Sequence, residues 1–295
     1  MRLRDRGSPR RRADAVRPHG LRVSASNGAV FVATDPASGS RPPSTLTPAE
    51  LVRAAWHAFP GFLTVFLVVT AFPDERHRTW RAFPVANALA FPLAACWAVE
   101  RWRLRRAQKK KNGASSGATN DARLARLADA FFANALRESE RDRVHGTAWY
   151  LLGAWIALVL YPCDVAALSI CALAFCDPAA SVAGRAFRGA RNNKRFANGK
   201  SAVGTFACFL VGAGVTFAMF RANNGVFNIE HRTSNIEHEA ALECRVLTFS
   251  AFVGGVVAGV EVFAADAVHV NDNALIPVVV GAAAWPARGA LLGWA

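Results

Sequence analysis

The stretch "VLTFSAFVGGVVAGVEVFAA", Val246–Ala265, contains a single charged side chain, Glu261. A helix needs about 20 mostly apolar residues to cross the hydrocarbon core of a bilayer. A surface helix of a soluble protein would instead show polar residues at every third or fourth position. A second stretch, "SAVGTFACFLVGAGVTFAMF" (Ser201–Phe220), has no charge at all. The chain is therefore predicted to be an integral membrane protein.

The composition of the whole chain agrees with that prediction. Of 295 residues, 53% are hydrophobic and only 19% are charged, whereas soluble domains carry about 25% charged residues. The apolar segments predict an all-α fold, a polytopic helical bundle with about seven transmembrane helices. The predicted spans are 57–72, 83–100, 146–162, 164–183, 201–220, 246–265 and 274–294.

The N-terminal segment, residues 1–49, differs from the rest of the chain. It is rich in Arg, Ser and Pro and has no long apolar run, which predicts a disordered basic tail. Its arginines and scarce acids also fit an organelle transit peptide, and an ordinary cytosolic tail fits equally well. Residues 50–295 are predicted to form the membrane-embedded domain.

Three basic stretches give the orientation of the spans. They are the N-terminal tail, 101–111 ("RWRLRRAQKKK") and 184–200 ("GRAFRGARNNKRFANGK"). Seven alternating spans place all three on one side, and Lys and Arg collect in short cytoplasmic loops. That side also receives Asp177, Glu261 and the turn "HVNDN". Charges inside spans usually face a polar interior or a site, so a polar site is predicted at the cytoplasmic end.

Carboxylates beside a dense Arg/Lys loop indicate a polyphosphate bound with a divalent cation. Arg and Lys neutralise phosphate oxygens, and Mg²⁺ is usually held by one or two carboxylates together with substrate phosphates. The sequence "NGKS" (Asn198–Ser201) opens the fifth span, where helix amides can face an anion. It lacks the upstream glycine of a Walker A motif. Basic loops also serve as topology signals or contacts with anionic lipid, so that alternative stays open.

Several blocks resemble the polyprenol and lipid kinase family. They are "RAAWHAFPG" (Arg53–Gly61), "LRESERDRVHGTAWYLLG" (Leu136–Gly153), "CDPAASVAGRAF" (Cys176–Phe187), "NGKSAVGTFACFLVG" (Asn198–Gly212) and "GVEVFAADAVHVNDNALIPV" (Gly259–Val278). The family includes CTP-dependent diacylglycerol kinases, dolichol kinases and phytol kinases, and is related to phosphatidate cytidylyltransferases. The similarity extends over about residues 50–290. The order "DPAAS", "GR", "GKS" and "DN..IP" looks most like the CTP-dependent diacylglycerol kinase branch.

That resemblance implies an enzyme that transfers the γ-phosphate of CTP to diacylglycerol and makes phosphatidate at the cytoplasmic face. Mg²⁺ or another divalent cation would be held by Asp177, Glu261 and Asp272. The nucleotide would be bound by Arg185, Lys194, Lys200, Ser201 and Asn273. The general base is left open among Asp177, Asp272 and Glu140. Asn271 stands where the family commonly has a first Asp before the final Asn.

Other functions fit parts of the same pattern. A phytol or dolichol kinase would use an isoprenoid alcohol, and a phosphatidate cytidylyltransferase would release pyrophosphate. A non-catalytic membrane protein would use the basic loops to bind anionic lipid. The predicted partners are CTP and a membrane lipid, with no nucleic acid. The predicted location is the endoplasmic reticulum membrane, with a chloroplast membrane as the alternative.

Overall fold

The computed structural model describes residues 23–26, 29–32, 48–71, 82–111, 144–187, 193–196, 199–221, 236–267 and 271–293. Strands β1 (Val23–Ser26) and β2 (Ala29–Val32) pair as an antiparallel hairpin within the N-terminal segment. The rest of that segment, 1–22, 27–28 and 33–47, lies outside the described residues, so its disorder stays a prediction.

All other described elements are helices, which confirms the predicted all-α bundle apart from the hairpin. The helices are α1 (Pro48–Ala71), α2 (Phe83–Lys111), α3 (Gly146–Leu160), α4 (Cys163–Ala186), α5 (Ala202–Phe220), α6 (Ile236–Ala267) and α7 (Asp272–Leu292).

Five of these helices, α2, α4, α5, α6 and α7, are long and apolar enough to cross a membrane. They correspond to five of the predicted spans, so the chain is a multi-pass membrane protein. Helix α3 has only 15 residues, which span about 22 Å, less than the ~30 Å hydrocarbon core. Helix α1 contains residues 57–71 of the predicted span 57–72. Over the described residues, it is not one of the five helices that are long and apolar enough to cross a membrane.

Three helices extend well beyond their predicted spans, and α1 does so by beginning at Pro48 instead of at residue 57. Helix α2 continues past the predicted end of its span at residue 100 and through the basic stretch 101–111 to Lys111. Its Arg, Lys, Leu, Gln and Ala residues are good helix formers, and long basic side chains keep their charges in water while their stems cover apolar surface. Helix α6 begins at Ile236, well before the predicted 246.

Helix α4 is at the centre of the bundle. It packs against α1, α3, α5 and α7, and every residue from Cys163 to Ala174 is buried. Most of these residues are small, with Ala, Ser and Cys predominating. Small side chains let helix backbones approach closely, and close van der Waals packing is what stabilises helix pairs inside a membrane.

The contact between α5 and α6 depends on a glycine. A Cβ added at Gly254 would lie 2.6 Å from the carbonyl oxygen of Phe209 and 3.1 Å from the Cβ of Ala213. The neighbouring Gly255 faces away, and a Cβ added there would meet no atom within 4 Å. Of these two glycines, the packing therefore requires only Gly254.

We expect Gly254→Ala to lower the free energy of unfolding by about 1–3 kcal/mol, because the added methyl group forces the two helices apart. Gly255→Ala is the matched control and should leave stability unchanged or slightly higher. Thermal melting in detergent compares the two variants. Equal melting temperatures would contradict the close crossing.

Contacts between helix ends show that the helices alternate in direction. Lys200, just before α5, reaches Glu261 near the end of α6 and Asp272 at the start of α7. His57, in the first half of α1, lies near Asp177 in the second half of α4. We call this end of the bundle the site end. At the opposite, far end, Asp164 at the start of α4 pairs with Arg288 near the end of α7.

Candidate active site

Lys200 is the centre of the charged cluster at the site end. Its Nζ lies 2.8 Å from Glu261 Oε1 and 3.1 Å from Asp272 Oδ2. Burial lowers the pKa of Lys200, but the two carboxylates outweigh it, so this pKa lies above its usual value. Lys200 is therefore a cation at neutral pH, and it joins α5, α6 and α7.

A tight turn before α5 positions Lys200. Gly199 has φ = 82°, a left-handed conformation that favours glycine. The Lys200 carbonyl accepts from Phe196 N–H at 2.8 Å, and the Gly199 N–H donates to the Phe196 carbonyl at 2.9 Å. Arg195 Nη1 also donates to the Gly199 carbonyl at 2.8 Å. These hydrogen bonds hold Arg195, Phe196, Gly199 and Lys200 together directly before the helix.

Ser201 is the N-cap of α5. Its Oγ accepts from the Gly204 N–H at 3.0 Å, which satisfies one of the free amides at the helix start. A Cβ added at Gly184 would lie 2.7 Å from Ser201 Oγ, so the last turn of α4 passes directly over this cap. Arg185 follows Gly184 on that turn and is partly buried. The cap therefore brings the "GR" and "GKS" blocks together.

Asp177 lies on α4 beside His57 of α1. The distance from His57 Nε2 to Asp177 Oδ2 is 3.5 Å, and the Asp177 side chain is 34% exposed. Asp177 and Asp272 are both close enough to Glu261 to interact with it electrostatically. The three carboxylates predicted to hold a cation therefore share one end of the bundle with Lys200.

The start of α7 is built by consecutive polar residues. Asn271 is its N-cap, and its Oδ1 accepts from the Asn273 N–H at 3.0 Å. Asn caps a helix as well as Asp does, which accounts for an Asn where the family commonly has Asp. The Asn273 side chain donates from Nδ2 to the Gly146 carbonyl at 3.2 Å. Asn273 therefore ties α7 to the start of α3.

Sequence reasoning missed Glu100, which is fully buried on α2. Its Oε2 accepts from Arg103 Nη2 at 2.8 Å and from the His145 backbone N–H at 3.1 Å. His145 in turn caps α3, because its Nδ1 accepts from the Thr147 N–H at 3.2 Å. In the sequence, Glu100 stands out only as a lone acid directly before the basic stretch. Its backbone partner, His145, is 45 residues away, so no local pattern predicts the contact.

The predicted site residues are placed as follows. Asp177, Lys200, Glu261 and Asp272 share the site end, with Asn273 beside Asp272. Lys194 is exposed, and its backbone carbonyl accepts from the Ala202 N–H. Glu140 lies outside the described residues. The roles assigned to all of them stay predictions.

The carboxylates fit a cation that is shared with substrate phosphates. Within the described part of the chain, no group of three or more His, Cys, Asp and Glu side chains could hold a metal ion alone. Mg²⁺ usually needs only one or two carboxylates beside phosphate oxygens. Glu261 Oε2 is buried and has no hydrogen-bond partner among the described residues, and the Asp177 carboxylate is partly exposed. Both are suitable oxygen ligands.

Comparison with known proteins finds relatives in the branch that the motifs resemble. The CTP-dependent diacylglycerol kinase 1 of Schizosaccharomyces pombe is 26% identical over 156 residues, which are 53% of this chain and 66% of that protein. The enzyme of the same name from Eremothecium gossypii is 30% identical over 152 residues, 49% of this chain and 44% of that protein. The resemblance stated from the motifs is thereby confirmed.

The chain spans less than two thirds of the length of either relative. No family model matches it. No solved structure matches it either.

Proposed function

We propose that the protein is a lipid kinase that transfers the γ-phosphate of CTP to diacylglycerol and produces phosphatidate. One observation carries the proposal: Lys200 is held between Glu261 and Asp272 at the end of the bundle that also contains Asp177. A fixed cation among carboxylates, directly after a basic loop, suits a nucleotide polyphosphate bound with a divalent cation. The names of both relatives support CTP as donor and diacylglycerol as acceptor.

The proposed residues act mainly by binding and charge stabilisation, as phosphoryl transfer requires. Lys200 and Arg185 bind phosphate oxygens of the nucleotide, while the amides at the start of α5 face the same anion. Asp177 and Glu261, with Asp272 beside them, would hold Mg²⁺ together with substrate phosphates, and the ion would supply positive charge against those phosphates when it is bound. Because Lys200 already contacts Glu261 and Asp272, it can exchange those contacts for phosphate oxygens when the nucleotide enters.

The reaction breaks the bond between the γ-phosphorus and the oxygen that links it to the β-phosphorus. The oxygen of the lipid hydroxyl forms the new bond to the γ-phosphorus, CDP leaves, and the hydroxyl proton passes to a carboxylate. Asp177 and Asp272 are the described candidates for that base, with Glu140 as the third. The apolar helices around α4 let the acceptor reach this end from the bilayer.

A transfer assay tests the proposal. Purified protein in mixed micelles receives Mg²⁺ and γ-labelled CTP or ATP, with diacylglycerol, phytol and dolichol offered separately. We expect label in phosphatidate from CTP. Label in phytol or dolichol would keep the mechanism and change the substrate, and release of pyrophosphate would indicate a cytidylyltransferase. No label in any lipid with either nucleotide would overturn the kinase and favour a protein that binds anionic lipid.

We expect Lys200→Met to raise the KM for CTP by about tenfold or more, because a charge-assisted bond to phosphate contributes about 1.5–3 kcal/mol. Lys200→Arg should retain part of the affinity, since it keeps the positive charge. The control is Arg105→Met, which removes an exposed arginine from α2 and should leave the KM unchanged. An unchanged KM in folded Lys200→Met would exclude Lys200 from nucleotide binding.

We place the enzyme in the endoplasmic reticulum membrane, with a chloroplast membrane as the alternative, because the resemblance favours the first and the basic N-terminal segment fits the second. A fusion of residues 1–50 to a fluorescent reporter distinguishes the two locations. Import of the reporter into chloroplasts would overturn the first location, and a reporter that is not imported would support it.

A further inference from the structure

Two buried polar atoms, on side chains that contact each other beside α4, have no hydrogen-bond partner among the described residues. They are the Tyr150 hydroxyl and His57 Nε2. The distance from His57 Nε2 to Asp177 Oδ2 is 3.5 Å, which is longer than an ordinary hydrogen bond. Tyr150 is only 5% exposed, and its ring meets the His57 ring edge-on with 5.3 Å between centroids. Buried polar groups in native proteins almost always have a partner. Two unsatisfied atoms on contacting side chains therefore indicate a place for a ligand.

The packing of α1 on α4 fixes the position of His57. A Cβ added at Gly61 would lie 2.5 Å from the Ala174 Cβ, so only a glycine allows this close approach. The Cys171 thiol also donates to the Gly61 carbonyl at 3.6 Å. Since the two helices run in opposite directions, His57, one turn before Gly61 on α1, lies beside Asp177, about one turn after Ala174 on α4. The unsatisfied pair is thus adjacent to the predicted cation and phosphate site.

The same side of the bundle exposes a large apolar surface. Helix α1 packs mainly against α4, and its outer surface carries exposed aromatic rings at Trp56, Phe59 and Phe62. Helix α3, which carries Tyr150, also packs against α4. A molecule with apolar chains can therefore lie along α1 while its polar end meets Tyr150 and His57.

We propose that Tyr150 and His57 form the subsite for the hydroxyl group of the lipid acceptor. An alcohol offers one O–H donor and two acceptor lone pairs. Before the transfer, the Tyr150 hydroxyl donates to the alcohol oxygen and the alcohol O–H donates to His57 Nε2. In the transfer step the O–H turns to the neighbouring carboxylate that takes its proton. Both atoms then gain the partner that they lack, and the alcohol oxygen lies beside Asp177. This subsite rests on the proposed function, because it identifies where the acceptor of that reaction is held.

Binding without nucleotide tests the subsite separately from phosphate transfer. Labelled 1,2-dioctanoylglycerol is bound to the protein in detergent without CTP and displaced by unlabelled dioctanoylglycerol or by its 3-deoxy analogue, which lacks the hydroxyl group. We expect the wild type to prefer the alcohol by about tenfold, the value of one good hydrogen bond in a buried site. Tyr150→Phe should lose most of that preference, because it removes only the phenolic oxygen.

Tyr161→Phe is the matched control, since its hydroxyl donates to the Val278 carbonyl at 2.6 Å away from the site. It should keep the preference. His57→Gln is a second variant, and it should also lose the preference for the alcohol over the 3-deoxy analogue. Its elution on size exclusion checks that it is folded. Equal preference in the wild type and Tyr150→Phe, or no binding of the alcohol by the wild type, would overturn the subsite.

The transfer assay on the same samples separates the two proposals. A wild type that binds the alcohol through its hydroxyl but transfers no phosphate would retain the subsite and overturn the kinase. A wild type that phosphorylates diacylglycerol, together with a Tyr150→Phe variant that binds and reacts normally, would retain the kinase and overturn the subsite.

Discussion

Asp177→Asn should reduce phosphate transfer by about 10²–10³-fold while the protein remains folded. Asn has the same shape as Asp, so the helix and its contact with His57 can persist, but the negative charge is lost. That charge belongs to the "DPAAS" block on α4 and lies at the same end of the bundle as Lys200. In the proposed mechanism, a cation shared with the nucleotide phosphates then loses its partly exposed carboxylate ligand.

The measurement is kcat and the KM for CTP over a range of Mg²⁺ concentrations. If Asp177 holds the cation, more Mg²⁺ should restore part of the rate, whereas a purely structural defect would not respond. Glu243→Gln is the matched control, because it removes a carboxylate from the same membrane protein on the extension of α6, 18 residues before Glu261. It should behave as the wild type.

If a folded Asp177→Asn protein keeps a tenth or more of the wild-type rate, Asp177 has no essential role in phosphate transfer. If the wild type itself showed no transfer and Asp177→Asn bound anionic lipid vesicles as the wild type did, the non-catalytic alternative would be favoured. The two results are distinguishable because the first requires an active wild type.

The sequence was sufficient to predict the helical bundle and the end at which its polar residues meet. Apolar segments of membrane length are a local property, and alternation of seven spans then determines which segment ends share a side. That is why Asp177, Lys200, Glu261 and Asp272 could be assigned to one end. The exact pairing, with Lys200 between Glu261 and Asp272, could not be predicted, because it depends on how α5, α6 and α7 pack.

Helix boundaries were predicted less well for a related reason. The predicted span ends at residue 100, where the basic stretch begins, but the residues of that stretch also favour helix, and α2 continues to Lys111. Asn271 was noted only as a departure from the family pattern, and its capping geometry at α7 explains it. The starts of α3 and α7 are joined by Asn273, a contact across 127 residues. Only tertiary structure reveals such a contact.

The far end of the bundle contains the clearest feature that sequence reasoning missed. In the sequence, Asp164 is the first residue of one predicted span and Arg288 lies inside another, and no local pattern relates the two. The structure pairs them as an ion pair in which each side chain is 1% exposed. Asp164 is in the first turn of α4, and its Oδ1 also accepts from the Val165 N–H at 2.8 Å. The ion pair therefore joins α4 to α7 at the end of the bundle opposite the site.

Arg288→Leu should destabilise the protein by about 3–5 kcal/mol, because it leaves the buried Asp164 carboxylate without its partner charge. In a protein of 295 residues that corresponds to a melting temperature lower by about 5–8 °C. The double variant Asp164→Leu/Arg288→Leu should recover most of the loss, since replacing both charges by apolar groups is often neutral. Arg101→Leu, which alters an exposed arginine on α2, is the control for loss of charge alone.

Thermal melting in detergent measures the stability of the single and double variants, and the transfer assay measures their KM for CTP. Arg288 follows Asp272 by 16 residues on α7, a distance of about 24 Å along the helix, so the double variant should recover stability and retain the wild-type KM for CTP. A single variant as stable as the wild type would show that the ion pair contributes nothing. A double variant no more stable than the single one would show that the destabilisation comes from lost packing around the arginine and not from an unpaired charge.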